Sequence, residues 1–376
     1  MSHILGDTDR VDDTFPRPTK DGLKWANAGP DVIACWIADM DFPTAPAIVE
    51  ALQRRARGDL GYPAWAADPQ AGPLAEAFTE RMLVRYGWDA DPSAVRAFSD
   101  LNQALQVVLH IATDPGDTVA MHAPAYPPFL GTLEEMGRVL RTDLSDLADC
   151  RALVLVNPHN PTGRVFTRSE LAALAEQVER HDLLVVSDEV HADLVYSPAE
   201  HIPFASILPE RTITLTSATK AFNLGGVRCA LAHLGPPRIR ETLRSHPSFL
   251  YGGANVFGVE ATVAAWKHAD GWLSDTMTVL DRNRQLIASR VPGYVAPDAT
   301  YLAWLDVGRP GMAEVLEREA RILVSDGATF GPGGERFVRV NFATSAEILT
   351  EVLDRLTRVC AIPAATSPRP EPLTGR

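Results

Sequence analysis

Hydrophobic and polar positions along the chain change period several times, and the changes divide it into elements. Short unbroken apolar runs at 118–121 (TVAM), 152–156 (ALVLV), 183–187 (LLVVS) and 212–216 (TITLT) read as buried strands. Between two of them, 168–181 (RSELAALAEQVERH) places Leu171, Leu174 and Val178 at helical spacing. Residues 102–113 read as another helix, and Thr44 can cap a helix carrying Ile48, Val49 and Leu52 on one face. The span 257–290 reads as long helix. Beyond it, strands are expected near 301–306 and 336–341 and helices near 311–320 and 345–358. The alternation of strand and helix predicts an α/β fold with a mostly parallel central sheet and right-handed crossovers.

The first thirty residues are polar, with Pro16, Pro18, Gly22 and Gly29, and read as an extended arm. Residues 361–376, rich in Pro, Ser and Thr, read as a disordered tail. The expected division is 1–45 as arm and part of a small domain, 46–290 as a large domain, and 291–360 as the rest of a smaller α+β domain. A length of 376 residues suffices for two domains. The net charge of −13 argues against a nucleic-acid or anionic-membrane partner. It leaves room for a small anionic ligand, because a few local donors outweigh distant charge. Cys35, Cys150, Cys229 and Cys360 stand far apart, so no zinc or redox spacing is present. Isolated thiols, no apolar leader segment and no run of membrane-spanning length point to the cytoplasm.

In open α/β sheets ligands bind beyond the carboxyl ends of the strands, so the residues after each strand carry the chemistry. TVAM is followed by His122-Ala123-Pro124-Ala125-Tyr126, and ALVLV by Asn157-Pro158-His159-Asn160-Pro161-Thr162-Gly163. LLVVS is followed by Asp188-Glu189-Val190-His191, and TITLT by Ser217-Ala218-Thr219-Lys220, with Arg228 eight residues on. An aromatic, an amide, a carboxylate and an amine thus converge. Pyridoxal 5′-phosphate needs such a set: a lysine for its aldehyde, a carboxylate for its ring nitrogen, an aromatic face, and donors for its phosphate.

These motifs, in this order, resemble those of fold-type I pyridoxal-phosphate enzymes of the class I/II aminotransferase superfamily. Gly22-Leu23-Lys24-Trp25, Ile37-Ala38-Asp39-Met40-Asp41-Phe42, Gly61-Tyr62-Pro63, Asp188-Glu189-Val190-His191 and Tyr301-Leu302-Ala303-Trp304-Leu305-Asp306 are similar to the cystathionine β-lyase branch, the MalY/PatB type of C–S lyase. The resemblance implies that Lys220 holds the cofactor as a Schiff base and removes the Cα proton. Asp188 would pair with the ring nitrogen, Asn160 with the O3′ oxygen, and Tyr126 would stack on the ring. Ser217, Arg228 and the backbone of Ser99, Asp100 and Leu101 would hold the phosphate. That loop is less glycine-rich than the family's usual one, so Asp100 has to turn its side chain away. Tyr62 would reach the phosphate of a neighbouring subunit, which implies a homodimer with shared sites. Arg339 would bind the substrate carboxylate, with Arg336 as the near alternative; a regular strand turns one of them away. His191 stands where transaminases of this fold often carry tyrosine, as a proton relay or as a residue behind the cofactor's partners. Trp36, Asp39 and Tyr301 are candidates for the substrate side-chain pocket. No metal is implied. The expected activity is cleavage of L-cystathionine or a related S-substituted cysteine to a thiol, pyruvate and ammonia. Transamination is the alternative, and contact with a regulatory partner a third reading.

Overall fold

The computed structural model describes residues 21–67 and 72–360. The parts of the expected arm at 1–20 and of the expected tail at 361–376 lie outside the described residues.

In chain order the strands are β1 Ile33–Ala34, β2 Val95–Phe98, β3 Thr118–Met121, β4 Val139–Arg141, β5 Cys150–Val156 and β6 Leu184–Asp188. They continue with β7 Thr212–Thr216, β8 Ala230–Leu234, β9 Leu302–Asp306, β10 Ile322–Leu323, β11 Ser325–Asp326 and β12 Phe337–Asn341. Among the described residues the main sheet has seven strands in the order β2-β8-β7-β6-β5-β3-β4. Its middle is parallel, as the alternating pattern predicts. The strand order reverses between β3 and β5, the place where such sheets open a crevice.

Alternation along β5 and β6 explains why both faces are covered. Val154, Val156 and Val186 pack with Leu105, Val108 and Leu109 of the helix Leu101–Ala112. Leu153, Leu155 and Val185 face the other way, onto Leu171, Leu174 and Val178 of the helix Arg168–Arg180. The latter helix starts at a reciprocal cap, Thr167 with Glu170. The three-stranded antiparallel sheet β11-β12-β9 is backed by the helix Ala346–Val359, which Ser345 caps. The short β1 pairs with β10, tying the start of the described chain to its last third.

Several expectations change. Thr44 is not a cap: the helix Pro46–Ala56 begins after Ala45 with Pro46 in its first turn, where a missing N–H costs nothing. On that helix Ile48 is buried, whereas Val49 is exposed. Within the expected arm, Leu23–Ala26 forms a helical turn that buries Lys24 and Trp25. The long helix over 257–290 is two helices, Val256–His268 and Asp270–Arg290, broken at Ala269, whose φ of −117° leaves the helical range. The helix near 311–320 is one α-turn, Met312–Val315, continued by a π-turn, Leu316–Ala320. Strands β2 and β8 carry no period-2 signal long enough to read. The 217–229 connection has no room for a covering helix, so β8 returns antiparallel to β7.

Candidate active site

Asp188 is the last residue of β6, level with Val156 of β5 and Leu215 of β7. The chain leaving β5 starts the Asn157–Gly163 turn, and the Asn157 amide donates to the Asp188 carbonyl at 3.0 Å. Gly163 (φ 69°) closes that turn against the 297–299 segment. A Cβ there would stand 2.3 Å from Pro297 Cβ and 2.7 Å from the Ala299 carbonyl oxygen, so only glycine fits. Lys220 lies in the loop between β7 and β8, and its Nζ donates to the Ala38 carbonyl at 2.9 Å.

Arg339 comes from the middle of β12 in the small sheet. Its guanidinium donates to Asn160 Oδ1 at 3.0 Å, to the Trp36 carbonyl at 3.1 Å and to Ser325 Oγ at 3.3 Å, over the ring of Phe330. Arg336 points to the surface and pairs with Asp306 at 2.9 Å. Of the two arginines, Arg339 is therefore the one that faces the crevice.

Electrostatics bind this group together. Burial pushes the Asp188 carboxyl up to about 7, opposed by the Val190 N–H and by the charge of Lys220. Burial lowers the Lys220 amine, with Asp39 pulling it back up and Arg339 pushing it further down. Burial, with the charges of Lys220 and Arg339, lowers His191 to about 3, so it is neutral, and its Nδ1 meets no partner among the described residues. Burial raises the Tyr126 hydroxyl, which also feels the charges of Arg339, Asp188, Asp100 and Arg228.

The expected phosphate region differs in detail. Asp100 does not turn its side chain clear of the region: it caps the helix Leu101–Ala112 through the Gln103 amide at 2.8 Å and pairs with Arg228, the arginine expected at the phosphate. The Ser99 amide is taken by Gln103 Oε1 at 2.8 Å, whereas the Asp100 and Leu101 amides meet no acceptor among the described residues. The Ser217 hydroxyl donates to the Cys229 carbonyl at 2.6 Å, which directs its proton away from a ligand. Tyr62 is 100 % exposed and stands apart from the cluster within one chain. Trp36 offers its carbonyl rather than its ring, because its indole N–H is held by the Lys24 carbonyl at 3.0 Å. The Tyr301 hydroxyl shares the Ala38 carbonyl with Lys220, at 2.8 Å.

The residues present fit pyridoxal 5′-phosphate. A buried carboxyl that holds its proton this tightly lacks a cationic partner at bonding distance, and a protonated ring nitrogen supplies one. The strained acid has a measurable consequence without cofactor. A raised folded-state value means that Asp188 favours the fold fully below its unfolded value near 3.8, and that this contribution is lost as pH rises through about 7. Apoprotein of D188N is therefore expected to melt at higher temperature than wild-type apoprotein at pH 8, with the difference vanishing toward pH 4. Parallel melting curves at all pH values would show that Asp188 is not strained.

Sequence reading missed groups that have no motif of their own. The Ala38 carbonyl has no side-chain signature. Ser325, which holds Arg339 and the Trp36 carbonyl, lies on a two-residue strand. Glu189 is legible only as the neighbour of Asp188. It points to the opposite side, where Ser187, the Phe204 amide and His201 Nε2 satisfy it at 2.8, 3.0 and 3.0 Å. Among the described residues no group of three acidic, histidine or cysteine side chains could hold a metal. No described helix is long and apolar enough to cross a membrane.

Comparison with known proteins agrees with this geometry. Residues 31–356 match the family model described as aminotransferase class I and II. Cystathionine beta-lyase PatB of Bacillus subtilis is 32 % identical, over 89 % of this chain and 95 % of that protein. A cystathionine beta-lyase of Corynebacterium glutamicum is 30 % identical, over 90 % and 96 %. The solved structure of cystalysin from Treponema denticola, which contains a pyridoxal 5′-phosphate cofactor, superposes with a TM-score of 0.84 at 27 % identity, covering 92 % of this chain and 96 % of that one. With that match over most of its length, the chain belongs to the class I and II aminotransferase family.

Proposed function

We propose that this protein is a pyridoxal-phosphate-dependent carbon–sulfur β-lyase that cleaves L-cystathionine or a related S-substituted cysteine. One observation carries the reading. Lys220 is half-buried, its amine held by a single backbone carbonyl and within electrostatic reach of both Asp188 and Arg339, which itself donates to Asn160. The choice of lyase over transaminase rests on relatives named cystathionine beta-lyase at 30 and 32 % identity.

The cofactor, when bound, supplies an electron-poor ring that takes up negative charge from the substrate's Cα. Asp188 keeps the ring nitrogen protonated, because a buried carboxylate gains most from a cationic hydrogen-bond donor. Arg339 binds the substrate α-carboxylate with its fork and so fixes the amino acid's orientation. Asn160 has its carbonyl oxygen on Arg339 and its amide N–H groups free among the described residues to donate to O3′. Tyr126 would lie against the ring face, and Arg228 with the Asp100 and Leu101 amides would hold the phosphate. Lys220 Nζ, its basicity lowered by burial, is a neutral amine for a larger share of the time and accepts the Cα proton. The Cβ–S bond then breaks with its electron pair going to sulfur, which takes up a proton and leaves as the thiol, and water hydrolyses the remaining three-carbon fragment to pyruvate and ammonia.

The working unit in this reading is a homodimer. Tyr62 and Leu60 are exposed on one chain, and a partner subunit covers them while Tyr62 completes the partner's phosphate site. A cytoplasmic setting is consistent with four buried, unpaired cysteines.

The deciding experiment incubates holoenzyme with L-cystathionine and follows pyruvate and free thiol. Pyruvate release supports the lyase. Conversion of an added keto acid to its amino acid, with no pyruvate formed, replaces it with transamination. R339K is expected to lower kcat/KM by about 10- to 100-fold, mostly through KM, because lysine keeps the charge but loses the bidentate fork. An unchanged KM for R339K would move the carboxylate site elsewhere.

A further inference from the structure

We infer that Asp39 reads the departing end of the substrate: its carboxylate, next in the chain to the carbonyl that holds Lys220 Nζ and on the wall of a cavity, accepts an ammonium group carried on the sulfur-linked arm. This inference rests on the lyase reading and narrows its substrates to cysteine S-conjugates whose arm is cationic or zwitterionic.

The backbone around Asp39 is pinned on both sides. Asn341 Nδ2 donates to the carbonyls of Ile37 and Asp39, at 2.7 and 2.6 Å. Asn223 clamps Met40 through both of its backbone groups, at 2.9 and 3.0 Å. The preceding residue, Ala38, receives Lys220 Nζ. The Asp39 side chain is therefore held close to the reacting lysine by atoms that leave its carboxylate free. No hydrogen bond or ion pair reaches that carboxylate among the described residues. Lys220 feels its charge but donates to the neighbouring carbonyl instead.

The carboxylate lies on a cavity of about 160 Å³, whose wall also includes Lys24, Trp25, Asp41, Asn223 and Gly225. The other polar groups of this wall are already committed. Lys24 pairs with Asp41 at 3.0 Å, the Trp25 indole donates to Asp41 at 2.8 Å, and Asn223 is spent on Met40. Two carboxylates against one ammonium leave the wall with one uncompensated negative charge, and it sits on Asp39. Gly225 keeps the approach open: a Cβ there would come within 3.3 Å of Asp39 Oδ1. Lys220 thus feels two charges of opposite sign, Arg339, assigned to the substrate's α-carboxylate, and Asp39, left for a cation. A part-buried carboxylate without a partner favours a cationic ligand over a neutral one of the same shape, and an anion is repelled.

The test compares three cysteine S-conjugates of similar length on holoenzyme: an S-aminopropyl arm, an isosteric S-butyl arm and an S-carboxyethyl arm. Dissociation constants come from titrating the visible absorbance of the bound cofactor, and pyruvate release is scored separately. The expected affinity order is aminopropyl, butyl, carboxyethyl, with aminopropyl ahead of butyl by about tenfold or more. D39N is expected to bring that ratio close to one. A wild-type enzyme that binds butyl as well as aminopropyl overturns the inference, and so does a D39N enzyme that keeps the wild-type ratio. Affinities in the expected order without pyruvate from any conjugate would support the role of Asp39 and defeat the lyase.

Discussion

Lys220→Ala leaves a folded protein whose pyruvate release is down by about 10³-fold or more, the combined loss of the group that holds the cofactor and of the base for the Cα proton. The fold tolerates the change because little depends on that side chain. Its ammonium makes one hydrogen bond, to the Ala38 carbonyl, and the Tyr301 hydroxyl still satisfies that oxygen after truncation. Burial of the amine is itself unfavourable, as its lowered basicity shows, so removing it relieves part of a cost. Circular dichroism checks the fold, and the visible absorbance of covalently held cofactor checks the assignment. Borohydride reduction of the wild type followed by peptide mass mapping should place the added mass on Lys220. Finding it on another lysine would falsify the assignment and, with it, the geometry of the site.

The second large effect belongs to Asp188→Asn. Asparagine has the same shape and can still receive the Val190 amide that Asp188 Oδ1 accepts at 3.1 Å. It cannot supply the negative charge that keeps a ring nitrogen protonated. The expected fall in kcat is about 10²- to 10⁴-fold, in the range of a lost electrostatic partner at a buried reacting centre. KM for the substrate should move far less, because Asp188 in this reading would hold the cofactor's ring nitrogen and not the amino acid. The visible colour should persist, since Lys220 is intact, and this separates the variant from Lys220→Ala. A D188N enzyme retaining more than about a tenth of wild-type kcat would mean that some other group protonates the ring.

Much of this was legible in one dimension because chemistry at strand tips leaves a local signature. The runs ALVLV, LLVVS and TITLT place Asn160, Asp188 and Lys220 at fixed offsets after buried strands, and parallel pairing brings those tips to one edge. Helices with a cap and a clear stripe, such as Arg168–Arg180 and Ala346–Val359, fall within a residue or two of expectation because cap and stripe are both short-range. The break at Ala269 escaped because the apolar pattern runs through it. Val49 was placed on a buried face because period alone cannot say which neighbour is present.

Sequence by itself pointed to the parallel strands β3, β5, β6 and β7 and to the candidate cofactor partners after their tips, since each strand and the residues just beyond it form one short local pattern. Only the tertiary structure turned Arg336 to the surface and Arg339 onto Asn160, set Asp100 on Gln103 and Arg228, put the Ala38 carbonyl at Lys220, and left the Asp39 carboxylate without a partner among the described residues. Those outcomes hinge on contacts between segments as far as 303 positions apart, as between Trp36 and Arg339. No local pattern encodes them, because a backbone carbonyl has no residue type and a side chain's partner is chosen by packing.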